Sequence, residues 1–521
     1  MSTISDPVSA PPSHAAHAAQ PGYRTLWRWH FYAGLFVMPL LLVLAITGTI
    51  YCFQPQIEPL LYPHRLVVAP AATPRLPVDA LLARARTALP PDARALRAHV
   101  ESDPARSAEF VFALPDGTKT GTKESVYVNP YDGAVLGTLD VDRRFMQVDR
   151  MLHRKLLLGK PGELLMELAA CWTLVMLATG VALWWPGAGA SWLAALLPRF
   201  GARGRPFWKS VHASVGIWLA VGALAFVLSG LPWTGSWGKQ FKALATRASL
   251  GAPRGAWGGG LALKSALPGA QAAAATGTAA TAAAAAAASG AADNPPASRA
   301  GPQEHGAEHA GHDTASMPGM VMDDLPLPLV PWAVGAIPVP HSPHASSTPQ
   351  HWTLAQVVAQ MRDLGVRSGY DIVLPAAPDG VYTVSYFPPD PKAERTVYID
   401  QYSGAVLRDI RHEDYGAVSQ AISYGTSLHM GRYFGLANQL ICAAISLGLG
   451  ALAVTGFVMG WMRRPARAKG ASMLAAPPRE RAAPPLRAWK TSLVLLGIVF
   501  PLMGATLLAV WLFDRAAFRR A

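Results

Sequence analysis

Only three cysteines occur in 521 residues, Cys52, Cys171 and Cys442, and none stands in a CxxCH context. A disulfide framework and covalent attachment of a c-type haem are thereby excluded. Each cysteine falls within or at the end of an apolar run, where a thiol acts as a small buried hydrophobe. Charge is sparse too: Asp, Glu, Lys and Arg make up 15% of the chain. Acid is scarcest, and from Gly187 to Lys209 there is none. No small-x-small cleavage pattern follows the first apolar run, so that run is expected to remain as an anchor.

What fills the sequence instead is hydrophobic residue, 51% of the total, gathered into runs. A bilayer core takes about 20 apolar helical residues. Five runs reach that length: Phe31 to Phe53, Glu163 to Trp185, Val211 to Leu231, Tyr433 to Trp461 and Trp489 to Phe513. The chain is therefore read as a multi-pass membrane protein. Its formal charge of +13 sits mostly in the short segments between runs. Gly187 to Lys209 carries Arg199, Arg203, Arg205 and Lys209, and Met462 to Lys490 carries eight basic residues against the single Glu480. Under the positive-inside rule these loops face the cytoplasm, as does the N-terminus, and the two long loops lie outside. The charge is thus a topology signal and excludes a nucleic-acid footprint. The bacterial inner membrane, with periplasmic long loops, is the expected setting. Five crossings would leave Arg515, Arg519 and Arg520 outside, so either the terminus overrides the rule or the last segment does not cross fully.

Internal repetition organises the rest. Leu152-His153, Gly159, Thr179-Gly180 and Trp184 are followed later by Leu428-His429, Gly435, Thr455-Gly456 and Trp461. Histidine to first glycine is six residues both times, and histidine to the Thr-Gly glycine twenty-seven. In the other two spans, His30 precedes Gly34 by four and Gly48 by eighteen, and His212 precedes Gly216 and Gly230 by the same intervals. Eighteen residues are five helical turns, so each of these histidines shares a stripe with two glycines.

The outer loops repeat as well. A helix over Pro77 to Leu89 precedes strands near Ala95 to Val100, Glu109 to Leu114 and Ser125 to Val128, then a turn at Asn129-Pro130-Tyr131-Asp132-Gly133 and Ala134-Val135-Leu136. Trp352 to Leu364, Asp371 to Leu374, Val381 to Phe387 and Thr396 to Ile399 follow the same plan. Both end alike, in Tyr127 to Leu136 and Tyr398 to Leu407.

The expected fold is an α-helical polytopic membrane protein: a duplicated four-helix bundle plus a fifth span, with two outer α+β domains. A disordered tail covers 1–23 and the first span 24–53. The first outer domain is 54–150, followed by a histidine segment and second span at 151–186. A cytoplasmic loop, 187–207, leads to the third span at 208–231. A low-complexity insertion fills 232–350 before the second outer domain at 351–426. The second histidine segment and fourth span occupy 427–463, a cytoplasmic linker 464–488, and the fifth span 489–513. Lys160-Pro161-Gly162 is expected to break the helix after His153, leaving that residue on a separate surface helix.

Topology places His30 and His212 at the cytoplasmic ends of spans one and three, and His153 and His429 at the outer ends of spans two and four. One pair forms on each face. Imidazoles from facing helices of a bundle suit haem iron, and glycines such as Gly34 and Gly216, one turn from their histidines, leave room for a flat macrocycle. Close helix packing is the alternative use of those glycines. A structural zinc site would need its ligands at one point, which two separated pairs do not supply. The insertion holds His305, His309, His312, Met317, Met320 and Met322, ligand types suited to copper but equally to a polar linker.

Taken together, Trp29-His30 with Gly34, Leu152-His153-Arg154 with Gly159, His212 with Gly216, Leu428-His429 with Gly431 and Gly435, the four Thr/Ser-Gly pairs and the Tyr-containing hairpins resemble the PepSY-associated transmembrane family. That family includes iron-regulated inner-membrane proteins and ferric-siderophore reductases, and the resemblance spans about 24–465. It implies two b-type haems with His30, His212, His153 and His429 as axial ligands, PepSY-like periplasmic domains, and reduction of imported ferric chelates. Some relatives carry a fused flavin and nicotinamide domain; after Arg464 this chain has only a basic linker and the fifth run. Electrons would come from a separate donor, quinol or a cytoplasmic reductase. Arg154, Lys155, Lys209 and Arg432 are candidates to meet the haem propionates. Two other readings stand beside this one: a periplasmic cupric reductase, and a haemless membrane-anchored module that binds a peptide or regulates a protease.

Overall fold

The computed structural model describes residues 22–115, 122–186, 191–253, 325–343, 351–464 and 487–517. The alanine tract and the His305 to Met322 segment lie outside them. In chain order the principal elements are α1 (Tyr23–Cys52), α2 (Val78–Arg86), β1 (Arg94–Val100), β2 (Ala108–Ala113), β3 (Lys123–Val128) and β4 (Val135–Asp140). Next come α3 (Phe145–Lys155), α4 (Gly159–Trp184), α5 (Arg205–Gly230), α6 (Trp237–Arg247) and α7 (Leu354–Asp363). The chain closes with β5 (Tyr370–Val373), β6 (Val381–Tyr386), β7 (Arg395–Asp400), β8 (Val406–Arg411), α8 (Ala417–His429), α9 (Leu436–Trp461), α10 (Arg487–Val499) and α11 (Pro501–Ala517). They sort into a helical unit, 1–54, 148–243 and 425–521, and an α+β unit, 55–147 and 244–424.

In the helical unit four helices are long and apolar enough to cross a membrane: Tyr23–Cys52, Gly159–Trp184, Arg205–Trp233 and Leu436–Trp461. Each packs on its neighbours in chain order, and α9 closes the ring on α1. The first and third spans are therefore diagonal, as are the second and fourth. Small residues set the close approaches. A Cβ on Gly448 of α9 would lie 2.5 Å from Leu219 Cδ1 of α5, and one on Gly222 would lie 2.8 Å from Ile445 Cδ1, as expected where van der Waals packing drives association. Ala33, Val37 and Leu41 of α1 pack with Cys171, Trp172 and Val175 of α4 in the buried core.

Two expectations are corrected here. The fifth apolar run is not one crossing helix. Pro501 has no N–H to donate and disfavours helical geometry at the residue before it, so the run splits at Phe500 into α10 and α11. Residues seven apart in one helix are about 10 Å apart, yet a Cβ on Gly497 would lie 3.1 Å from Gly504 Cα. The chain therefore folds sharply back on itself. This hairpin leans on α4, where Trp172 Nε1 donates to Thr506 Oγ1 at 3.0 Å. The break before the second span also falls earlier than Lys160-Pro161-Gly162. Leu156 and Leu157 adopt left-handed φ of 52° and 58°, and Pro161 sits in the first turn of α4, where a missing N–H costs nothing. Gly159 and Gly435, the repeated glycines, begin the two spans with φ of 63° and 57°.

The α+β unit holds a single antiparallel sheet of eight strands in the order β4-β3-β2-β1-β5-β6-β7-β8. The two sequence copies, expected as separate domains, join edge to edge where β1 pairs β5 and His99 faces Asp371. Their helices share one sheet face: Leu81, Leu82 and Ala85 of α2 and Leu354, Val357 and Met361 of α7 enter one core with Phe110, Phe112, Ile372 and Val384. Asp79 of the first copy caps the helix of the second, accepting from Leu354 N and Ala355 N, each at 3.0 Å. The matching hairpins close identically, with Gly133 N on Asn129 O and Gly404 N on Asp400 O, both at 3.0 Å. On the opposite face Ala333, Val334 and Ile337 cover Val381, Tyr398 and Ile410.

Candidate functional site

All four repeated histidines belong to the helical unit, and all four are held in one way. His30 of α1 has Nδ1 3.0 Å from Thr179 Oγ1 of α4. His153 of α3 has Nδ1 2.8 Å from Thr47 Oγ1 of α1. His212 of α5 has Nδ1 2.9 Å from Thr455 Oγ1 of α9, and His429, ending α8, has Nδ1 2.9 Å from Ser229 Oγ of α5. Within each copy the two halves therefore exchange partners: each Thr/Ser-Gly pair seats the histidine of the other span or of the short helix before it.

The tautomer follows from the hydrogen bonds. Each hydroxyl gives its own proton to a carbonyl one turn back: Thr47 to Val43, Thr179 to Val175, Ser229 to Ala225 and Thr455 to Leu452. The oxygen can then only accept from the ring, which places the imidazole proton on Nδ1 and leaves the Nε2 lone pair free. A ligating histidine is ordinarily oriented through its second nitrogen in this way.

The glycine of each pair lets the ring lie against helix backbone. A Cβ on Gly180 would stand 3.2 Å from His30 Cε1, and on Gly48 3.4 Å from His153 Cε1. The corresponding distances are 3.6 Å for Gly230 and His429, and 3.7 Å for Gly456 and His212. Gly34 and Gly216 behave differently. A Cβ on Gly34 meets nothing within 4 Å, and one on Gly216 meets only Leu452 Cδ2 at 3.9 Å. Neither glycine is therefore required by a close helix contact.

His30 and His212 face each other across the diagonal of the bundle with ring centres 6.2 Å apart and planes at 87°. His153 and His429 precede the two spans of the other diagonal. Burial first, then the neighbouring His429 and Arg154, push the His153 pKa down to about 3. Burial pushes His429 down to about 4. Both rings are thus neutral at pH 7, the form that ligates metals. Seventeen residues of α1 separate His30 from Thr47, the seat of His153, roughly 25 Å of helix. Among the described residues no group of three or more His, Cys, Asp or Glu could hold a metal ion.

His153 is not a bare surface residue: it lies on a separate short helix, as expected, but its ring is docked on α1. Two of the basic candidates are engaged elsewhere, Arg154 on the Trp233 carbonyl at 3.3 Å and Lys155 on Glu163 at 3.8 Å. In the sequence alone the Thr/Ser-Gly pairs stand as repeats without a role. Their eighteen- and twenty-seven-residue spacing from the histidines was the available signal.

Over residues 27–464, which contain every histidine, hydroxyl and glycine of these seats, the chain matches the family described as the PepSY-associated TM region. The chain belongs to that family. Comparison with curated proteins returns no match. As a PepSY-associated transmembrane protein it combines four candidate spans with a β-sheet unit, and its diagonal histidine pairs are the constellation on which a function can be argued.

Proposed function

We propose that this PepSY-associated transmembrane protein moves electrons across the bacterial inner membrane to a ferric siderophore in the periplasm, and that its two histidine pairs each hold one haem b. The observation that carries this reading is the fourfold seat that frees every Nε2, together with the spacing of the one pair whose rings face each other directly. An imidazole nitrogen lies about 2 Å from a first-row metal and roughly 1 Å from its own ring centre, so two rings on opposite sides of one iron have centres about 6 Å apart. His30 and His212 stand at 6.2 Å. Intramembrane histidines are rare and mark functional sites.

Bound haem would supply a one-electron couple. The chain's own contribution is to hold it: Nε2 of His30 and His212 for one group, Nε2 of His153 and His429 for the other, with Thr179, Thr455, Thr47 and Ser229 fixing ring orientation. With each haem held by two histidines of this chain, a ferric chelate would be reduced without binding to the haem iron, and iron(II), bound less tightly by such chelators, would be released. The basic loops at 187–207 and 464–488 put the His30 end at the cytoplasm, where quinol or a cytoplasmic reductase would donate.

The test is a visible spectrum of the purified protein, followed by reduction with quinol and reoxidation with ferric siderophore or Cu(II). The proposal requires a Soret band, an α-band on reduction, and reoxidation by the ferric chelate. Absence of a Soret band would leave the haemless binding module; reoxidation by Cu(II) alone would leave the cupric reductase.

A further inference from the structure

Three observations converge at the His30–His212 end of the helical unit. The guanidinium carbons of Arg205 and Arg463 lie 6.0 Å and 4.8 Å from the centre of the same Trp27 ring, and that of Arg463 is also 5.4 Å from Phe31, the neighbour of His30. Two cations thus lie against one aromatic ring, at the start of α5 and just past the end of α9. Neither arginine meets a carboxylate in the ion pairs of the described residues. Second, Arg205 Nε and Arg463 Nη2 are buried without a hydrogen-bond partner. Partly buried charge of one sign without a counter-ion is unfavourable, and burial together with Arg205 holds the Arg463 pKa below its ordinary value. Third, both arginines are in register with the histidine pair. Arg205 precedes His212 by seven residues on α5, two turns and about 10 Å along the same helix face. Arg463 follows Gly456, the glycine under the His212 ring, by the same interval.

We propose that Arg205 and Arg463 form an oxyanion clamp that takes the propionate carboxylates of the haem held by His30 and His212. This rests on the haem reading above and deepens it. The planar fork of each guanidinium matches a carboxylate, and Trp27 fixes both forks at the membrane edge, where the propionates of a haem held lower in the bundle can reach. A lipid phosphate offers the same oxyanion chemistry and is the competing occupant.

The experiment compares wild type with R205Q, R463Q and the double variant, and with R463K, which keeps the charge. Each is purified in lipid-free detergent and in nanodiscs of phosphatidylcholine with or without phosphatidylglycerol. Charge-assisted hydrogen bonds contribute enough that losing both arginines should speed loss of one haem to a haem-scavenging apoprotein by roughly tenfold to a hundredfold. The potential of that haem should also fall, because two cations that favour the less positive iron are gone. The second haem is the internal control of folding and should keep its potential, while R463K should retain most of the wild-type behaviour. Unchanged haem loss and potentials in the double variant would overturn the clamp. An effect confined to phosphatidylglycerol nanodiscs would assign the arginines to lipid phosphate and overturn it too. A wild type without haem would instead refute the reading beneath it, and the clamp would fall with that reading.

Discussion

Replacing Thr47 by valine isolates what a seat contributes. Valine keeps the volume and branching of threonine but deletes Oγ1, which stands 2.8 Å from His153 Nδ1 and is buried within α1. The bond to the Val43 carbonyl disappears at the same time, but that carbonyl keeps its helical partner. The loss therefore falls on the imidazole N–H, left without an acceptor. An orphaned buried donor costs about 1–3 kcal/mol, which at 1.36 kcal/mol per decade weakens the hold on the ligating ring by roughly 5- to 150-fold. Losing a group that hydrogen-bonds a metal-ligating histidine costs a similar range, about 10- to 100-fold. The assay is haem retention resolved by the two redox transitions of the protein. Thr47→Val should loosen the haem of the His153–His429 pair and spare the other; Thr179→Val should do the reverse. Thr47→Ser, which restores the acceptor, should behave as wild type. If both valine variants changed the two haems equally, or neither, the seats would not be ligand-orienting devices.

Further expectations come from other parts of the structure. Alanine in place of Gly180 puts a Cβ 3.2 Å from His30 Cε1, whereas in place of Gly456 the distance to His212 is 3.7 Å; Gly180→Ala should therefore lower haem content well below Gly456→Ala in a pyridine-haemochrome assay. Cys52 and Cys442, on α1 and α9, are mutual thiol partners, so a mild oxidant should join them without any engineering. Intact mass should fall by about 2 Da, and Cys442→Ala should abolish the change; no link under conditions that oxidise exposed thiols would count against the ring closure of α9 on α1. In the α+β unit, burial would lower the His99 pKa, but the hydrogen bond and charge of Asp371, with Glu109, raise it above 6.5. A raised histidine stabilises fully below its unfolded value and loses that contribution as pH rises through the folded one. Amide protection factors at the β1·β5 seam, corrected for the intrinsic pH dependence of exchange, should accordingly fall as pH rises above 6.5, and His99→Gln should remove the fall.

Much of this architecture was legible because membrane spans and repeats leave strong marks. Apolar runs gave four of the five expected crossings, and the alternation around Glu109 to Leu114 and Val381 to Phe387 gave strands that occur within a residue or so at Ala108–Ala113 and Val381–Tyr386. The fifth run failed for a local reason: hydropathy averages over Phe500-Pro501 and does not register that proline ends a helix there. The joining of both sheets at β1 and β5 was hidden as well, since edge pairing between distant strands leaves no periodicity in either. At the site, the histidines announced themselves by spacing. Their seats did not, because Thr47 and His153 are neighbours only through the docking of the His153 ring on α1, and a threonine one turn from its own backbone acceptor reads as an ordinary helix residue.

The central claim is that each diagonal histidine pair holds one haem, and haem stoichiometry per chain tests it most directly. Pyridine-haemochrome analysis against quantitative amino-acid analysis should give two haem b per wild-type chain and one in His30→Ala. It should also give one in His153→Ala, with the two variants losing different redox transitions. A wild-type value near zero, or both transitions surviving in either variant, would contradict it.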